Sequence, residues 1–381
     1  FSTDSHGWGE LLSERNAASD FRGRLRVPCA IVGAGFTGLA CARRLAELHP
    51  NDEIILIDAR LIGQGASGRN SGFAVAVSHF PGKYIPEQKG SFVRINRINQ
   101  AGLEILDQQI KTQSIDCQWD NGGFHHAAAD TQSINECGNF LEYLNEMEVA
   151  HTPLNKEDMN NRLGTALYEA GVHVHEGALV QPAALVRGLA SSLPSNVKLI
   201  EQCPVLKIEE GSSIKLCLSD GEIITDRLVL ATNYEASKLG FLTRRLIGST
   251  LSGSFTRKLN EQELASLGEL KEWGILSLHG GGATVRLTSD GRISLRNTAE
   301  FNDGRLLSEK KLVDHQAKHR VSFEKRFPQL VHVPFEYAWS GVEGISRNST
   351  NFFGKQTDNI YFAGGYNGSG VSKGSAFGYA L

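Results

Sequence analysis

Cys29-Ala-Ile-Val-Gly-Ala-Gly-Phe-Thr-Gly38 is the stretch on which the reading of this chain turns. Ala30, Ile31 and Val32 form a short apolar run with β propensity, expected as a buried parallel strand. Gly33-x-Gly35-x-x-Gly38 follows at once, with Phe36 and Thr37 in its last turn. Leu39 to Leu48 reads as a helix with Leu39, Ala42, Leu45, Ala46 and Leu48 on its apolar side. Glu53-Ile-Ile-Leu-Ile-Asp58 reads as a second buried strand ending in an acid. In such a unit the first glycine permits a tight turn, the second lets a pyrophosphate approach the backbone, and the third lets helix pack on strand. The helix N-terminus offers free N–H groups to phosphates. Asp58 stands twenty residues beyond Gly38, where an acid accepts hydrogen bonds from ribose hydroxyls. The motif is a dinucleotide fingerprint; a glycine turn in an unrelated α/β unit competes with it. It does not separate NAD from FAD, and the acid disfavours NADP, whose 2′-phosphate it would repel.

Working outward, Ala59 and Arg60 follow the acid, and then comes Gly63-Gln-Gly-Ala-Ser-Gly-Arg-Asn-Ser-Gly72. Its glycines and small polar residues predict a loop that drapes over a ligand with backbone donors free, or else a plain surface loop. Gly65, Ala66, Ser67, Arg69, Asn70 and Ser71 are its candidate ligand contacts. Near the other end, Asn359 to Gly364 reads as a strand. Gly365-Tyr-Asn-Gly-Ser-Gly-Val-Ser372 reads as a glycine turn leading into a helix from Gly374 to Leu381. Gly365, Asn367, Gly368, Ser369, Gly370 and Val371 are candidates there, with Gly341 in the preceding Trp339-Ser-Gly341. Asp226 to Asn233 predicts a buried strand ending in a polar turn at Ala231 and Thr232, and Val205 to Ile208 another strand.

Composition bounds the function. The chain has 381 residues, 40% hydrophobic and 21% charged, with a formal net charge of -3. That balance argues against nucleic-acid binding, which needs a basic surface. No apolar run reaches the length of a membrane span. Six scattered cysteines without a C-x-x-C pair give no zinc or thioredoxin signature and suggest reduced thiols of a cytoplasmic protein. His173 and His175 share a face if their segment is a strand, but no third ligand follows, so no metal is expected. The chain starts at Phe1 and stops at Leu381 inside a helical stretch, so both ends are expected to be edges rather than natural termini.

Glycine motif, acid and Gly-Ala-Ser-Gly-Arg-Asn-Ser-Gly together closely resemble the D-amino-acid-oxidase-like superfamily of FAD-dependent oxidoreductases, in style nearest its γ-glutamylputrescine oxidase branch. Gly177-Ala-Leu-Val-Gln-Pro182, Arg286-Leu-Thr-Ser-Asp-Gly-Arg-Ile-Ser294 and the two C-terminal motifs carry the resemblance from about Gly7 to the end. It implies an α/β fold with an α+β insert: a discontinuous Rossmann-type FAD-binding domain and a second, substrate domain on a mainly antiparallel sheet. The expected division is 1–88, 168–235 and 335–381 for FAD, and 89–167 and 236–334 for substrate. It implies FAD as cofactor and places Val205 near the adenine, with a plain sheet strand as the alternative. It further implies hydride transfer from a C–N bond of a small amine or amino acid to flavin N5. The imine is then hydrolysed and O2 reduced to H2O2. Alternatives are a dehydrogenase using a quinone or protein acceptor, an RNA-modifying enzyme and a non-enzymatic flavin-binding module. The particular amine and the oligomeric state stay open.

Such chemistry needs no dedicated nucleophile, because the cofactor carries it. Arg286 is the first candidate for holding a carboxylate or aiding oxygen chemistry, against the alternative of a salt-bridged arginine. In the sarcosine oxidase branch a lysine serves oxygen from this part of the fold. Residues 272–309 hold no lysine, so Arg286 or Arg292 would substitute. His125 or His126 is a candidate for facing the cleft, though not both, since adjacent strand residues point oppositely. Tyr366 and Trp339 are candidate walls of the substrate site, with aromatic core packing as the commoner use. The last cysteine is Cys217, which departs from the branch that bonds flavin through a C-terminal cysteine and predicts non-covalent FAD.

Overall fold

The computed structural model describes residues 5–16, 21–77, 84–279 and 282–381. Two eight-stranded sheets organise them. In the first, Gly23–Val32 lies between Ile54–Ile57 and Gly221–Leu230, all parallel, extended by parallel Val197–Ile200 and Ile360–Gly364 at the two sides. Ile54–Ile57 is buried at every position, as a strand covered on both faces requires. Ile31, Ile54 and Leu56 pack on one face with Leu39, Leu106, Leu185 and Val186. Ala30, Ile55 and Ile57 pack on the other with Leu228, Leu230 and Phe362. Helices Phe36–Leu48, Lys89–Gln113 and Gly370–Ala380 lie together against the first of these faces.

The second sheet runs in the order Phe335–Ser346, Leu246–Thr256, Ile293–Phe301, Thr284–Leu287, Trp273–Ser277, Phe124–Ala128, Ala170–Val174 and His151–Asn155. Every pairing is antiparallel except that of Trp273–Ser277 with Phe124–Ala128. Helix Glu309–Arg326 covers its back through Phe323, next to Phe327, against Trp273, Ile275, Val285 and Leu287. On that face Ser254 Oγ meets His319 Nδ1 at 2.8 Å and Ser252 Oγ meets His315 Nδ1 at 2.8 Å. The expected α/β fold with a mainly antiparallel second sheet is thus found.

Particular elements differ in extent. Ala170–Val174 and Phe335–Ser346, allotted by sequence to the first domain, pair within the second sheet. The chain passes between sheets beside a small ribbon of Phe73–Ala74 with Ala178–Leu179. The strand expected from Val205 begins only at Lys207. The run from Gly63 to Gly72, expected as a loop, contains one helical turn, Ala66–Arg69, because Asn70 Nδ2 donates back to the Ser67 carbonyl and Arg69 Nε to that of Gln64.

His125 and His319 are buried, and loss of hydration pushes both pKa values down from 6.5 to about 3. Both are neutral when folded but bind a proton when unfolded below pH 6.5. Stability is therefore full above pH 6.5 and falls toward pH 3, by about 1.4 kcal/mol per pH unit for each. Urea titrations of wild type and His125→Leu at several pH values below 6.5 should show the shallower fall in the variant. Equal slopes would remove His125 from that account.

Candidate functional site

The strand–helix corner at Gly33 fixes one wall of the site. Gly33 has φ +101°, and a Cβ there would press on the Ala231 carbonyl at 2.7 Å. A Cβ on Gly38 would overlap the Gly33 carbonyl itself. Helix Phe36–Leu48 therefore starts directly off the tip of the first strand. At its side, Asp58 accepts N–H groups from Ala34 at 2.8 Å and Arg60 at 2.9 Å. Burial raises the Asp58 carboxyl pKa, and those two donors pull it back. Asp58 still keeps part of its surface open, and Ala59 and Arg60 are exposed. The Cys203 N–H donates to the Asp58 carbonyl, which brings the segment ending at half-buried Val205 alongside.

The second glycine run packs onto this corner. Ser67 Oγ accepts the Phe36 N–H at 3.1 Å, and a Cβ on Gly35 would meet the same oxygen. Asn70 shapes its own turn, accepting the Gly72 N–H at 2.9 Å, with half-buried Ser71 between. Gly65 and Ala66 are exposed. Arg69 is buried, and its Nη1 donates to the Ser340 carbonyl at 3.0 Å. Its own carbonyl accepts Trp339 Nε1, and a Cβ on Gly341 would meet Arg69 Cβ at 3.2 Å. Arg69 thus fastens this run to the second sheet.

The C-terminal run closes the third side. Gly365, Asn367 and Gly368 have φ of +73°, +51° and +90°. Asn367 Oδ1 accepts the Ser346 N–H at 2.9 Å, and Asn233 Oδ1 accepts that of Gly365 at 2.8 Å. Tyr366 OH shares a 2.6 Å hydrogen bond with Thr37 Oγ1, binding the run to the first helix. Ser372 Oγ donates to the Val75 carbonyl, and Val371 is buried in the first core.

Side-chain caps are missing at these elements, as they are also at helix Lys89–Gln113, which continues a preceding 3-10 turn. Helices starting at Thr131, Lys156, Pro182, Glu261 and Glu309 are capped by the side chains of Asp130, Asn155, Gln181, Asn260 and Ser308. Those starting at Phe36, Ala66 and Gly370 follow Gly35, Gly65 and Ser369 without a side-chain cap. First-turn N–H groups need a partner, and an anion suits the positive end of the dipole. Thr232 Oγ1, beside Gly33 and Ala231, is buried with no hydrogen-bond partner. Adjoining glycine corners, uncapped helix starts, an acid at one end and an orphan hydroxyl fit an extended dinucleotide with its pyrophosphate at the Gly35 helix start.

The family described as FAD dependent oxidoreductase (DAO) matches residues 29–381. The chain belongs to that family. A probable oxidoreductase, OrdL, of Haemophilus influenzae is 27% identical, with 90% of this chain and 79% of the relative covered. Gamma-glutamylputrescine oxidoreductase of Escherichia coli is 26% identical over the same shares. Glycine oxidase from Geobacillus kaustophilus has a similar fold, with a TM-score of 0.78 at 16% identity over 93% of both chains. FAD is accordingly the cofactor of this oxidoreductase fold.

The three residues expected to do chemistry have other surroundings. Arg286 is fully buried, and its Nη1 donates to the carbonyls of Val180 at 2.6 Å and Gly72 at 3.1 Å. Its Nη2 pairs with Glu272 at 2.7 Å, and its guanidinium lies 5.2 Å from the Trp8 ring centre. It ties the second sheet to the second glycine run, while its Nε is buried with no hydrogen-bond partner. Arg292 is held by Asp290 and Glu336. His125 stacks on His173 at 4.7 Å, while Phe124 turns the other way onto Phe73, so His125 faces away from the glycine motifs. Tyr366 is committed to Thr37, and Trp339 to an aromatic cluster with Trp8 and Phe255.

Three further charged residues, outside every motif named from the sequence, lie on these elements: Arg296, Glu343 and Lys373. Lys373, in the first turn of the last helix, is 5% exposed, and burial pushes its pKa down to about 8.

Two variants test these assignments. A Cβ on Gly65 meets nothing within 4 Å and its φ is -85°, so the fold makes no demand for glycine there. Gly65→Val should keep the melting temperature of the flavin-free protein while lowering FAD affinity at least tenfold; unchanged affinity would take Gly65 out of the site. Arg286→Met should cost about 3–5 kcal/mol in denaturant unfolding by stranding Glu272 and the Val180 carbonyl. A variant of normal stability with a raised substrate KM would restore Arg286 to the substrate site.

Proposed function

We propose that this protein oxidises a C–N bond of a small amine or amino acid. The hydride passes to FAD, the imine is hydrolysed to a carbonyl product, and O2 serves as final acceptor, giving H2O2. The observation that carries the reading is the meeting of three uncapped helix starts beneath the inner face of the second sheet. That is where a ligand with a polyanionic middle and a flat reactive end is accommodated between the two sheets.

In this reading the first-turn N–H groups after Gly35, with Phe36, Thr37 and Gly38, receive the pyrophosphate. Asp58 holds the ribose of the adenosine half, with Ala59, Arg60 and Val205 around it. Gly65 to Ser71, Ala231, Thr232 and Gly341 line the middle. Gly365 to Val371 receive the flavin end, where the positive end of the last helix favours negative charge. When bound, FAD supplies the two-electron acceptor. The protein's own work is to hold the amine and the reacting C–H in place, to exclude water and to leave the nitrogen unprotonated. The described residues up to Val77, with the later strands of the first sheet, form the FAD-binding part, and the second sheet with its helices the substrate part. In this reading the FAD is held without a covalent bond, as residues 218–381 hold no cysteine, with a histidine link as the alternative. A cytoplasmic setting accords with six free thiols, four of them buried. No helix among the described residues is long and apolar enough to cross a membrane.

Anaerobic mixing of the flavin-loaded protein with a panel of amines and amino acids tests the reading. Bleaching of the visible flavin band by one class, with recovery and peroxide on admitting air, is expected. Bleaching without recovery in air would replace O2 by another acceptor, and no bleaching by any amine would sink the proposal.

A further inference from the structure

A cleft of about 740 Å3 lies where three helices end on the back of the second sheet. Helix Lys156–Leu163 brings Asn160 and Asn161 and ends at Gly164, helix Glu261–Ala265 ends at Ser266, and helix Glu309–Arg326 brings Lys325 and Arg326. Gln329 stands at the rim, and Leu167 in the wall packs on the core formed by Phe323, Phe327, Val285 and Leu287. Val285 and Leu287 point into that core, whereas Arg286 between them reaches Gly72, so the cleft opens on the side away from the glycine runs. Its volume falls within the roughly 300–1,000 Å3 of small-molecule sites.

Three helix C-termini together ordinarily favour a cation, because their last carbonyls lack donors. Here those carbonyls are taken. That of Asn160 accepts the Gly164 N–H, that of Asn161 the Glu269 N–H, and that of Arg162 the Leu270 N–H. Gln329 Nε2 donates to the carbonyls of Gly164 at 2.8 Å and Ser266 at 3.2 Å, and Thr165 Oγ1 to that of Arg326 at 2.7 Å. Donors are what remains. Tyr168 OH accepts Arg326 Nε at 3.0 Å, and the Ser322 carbonyl accepts its Nη1 at 2.9 Å. These two bonds fix the guanidinium plane and leave Nη2 without a partner among the described residues. Lys325 is exposed and forms no ion pair among them, and the amides of Asn160 and Asn161 are exposed as well. Among the described residues no carboxylate lines the cleft. Gly268 has φ +77°, and a Cβ there would stand 2.5 Å from the Asn161 carbonyl oxygen, so the wall is two loops held in backbone contact.

We infer that this cleft binds an organic anion of metabolite size. Arg326 and Lys325 take its carboxylate or phosphate, and the amides of Asn160 and Asn161 meet its polar body. A guanidinium already held by Tyr168 and Ser322 loses little freedom on binding, which favours a planar oxyanion over a diffuse counter-ion. Cations in a last helical turn also complement the dipole, but that use requires neither a cleft nor spent carbonyls around them. The site lies across the sheet from the amine chemistry proposed above and does not depend on it.

Calorimetry on the flavin-loaded protein tests this with succinate, citrate, glucose 6-phosphate, adenosine 5′-monophosphate and inorganic phosphate. At least one organic anion should bind with a Kd below about 100 µM, roughly tenfold tighter than inorganic phosphate. Preference for the carboxylates or for the phosphates then identifies the head group. Lys325→Glu, a change at an exposed position, should weaken that binding roughly tenfold or more while leaving the flavin spectrum and the melting temperature without ligand unchanged. Arg326→Gln should weaken it similarly. The bound anion should raise the melting temperature of the wild type and not that of Lys325→Glu. No organic anion binding better than inorganic phosphate, or binding that survives Lys325→Glu, would overturn the inference. Displacement of the anion by an amine that bleaches the flavin would place it in the reaction site and overturn it too.

Discussion

The contact between Gly38 and the carbonyl of Gly33 is the constraint on which the site depends. Helix Phe36–Leu48 sits so close to the first strand that any side chain at Gly38 would overlap backbone. That closeness sets the helix axis at the strand's end, so its first N–H groups open at the edge of the parallel sheet. Asp58 ends the neighbouring strand one register away, and its carboxylate holds the same corner through the Ala34 N–H. The other glycine runs are fastened to this corner by single polar contacts. Ser67 bonds Phe36, and Tyr366 bonds Thr37. Three segments distant in sequence thus share one centre, and their helix dipoles add at one place.

The second sheet is held over that centre by buried cations of structural use. Arg69 reaches up to Ser340, and Arg286 reaches down to Gly72 and Val180. Each guanidinium bridges the two sheets through backbone carbonyls. This explains why arginines in ligand-like sequence contexts serve the frame. A planar group with five donors can satisfy several backbone acceptors at a junction where regular ladders end.

The fold was legible because its determinants are local. Strand, glycines, helix, strand and acid lie within thirty residues, and continuous apolar runs mark the buried strands. Sheet membership was less legible. Ala170–Val174 and Phe335–Ser346 carry ordinary strand patterns, and only pairing partners from far along the chain decide which sheet they enter. The cofactor corner was legible for the first reason, since glycine is demanded there by backbone contact. The chemistry around it was not. Arg286, His125 and Tyr366 stood out by type and by neighbouring motif, yet type says nothing about which face of a strand a residue occupies.

A wider consequence follows for how such a site divides its work. The residues around the dinucleotide corner act mainly through backbone groups, so their side chains are small and their spacing is rigid. On the second sheet Gly253 and Ser249 stand opposite Arg296 and Glu343, so these long charged residues have small neighbours across the ladder. The glycine corners and these positions belong to different sheets, and Arg69 and Arg286 join the two.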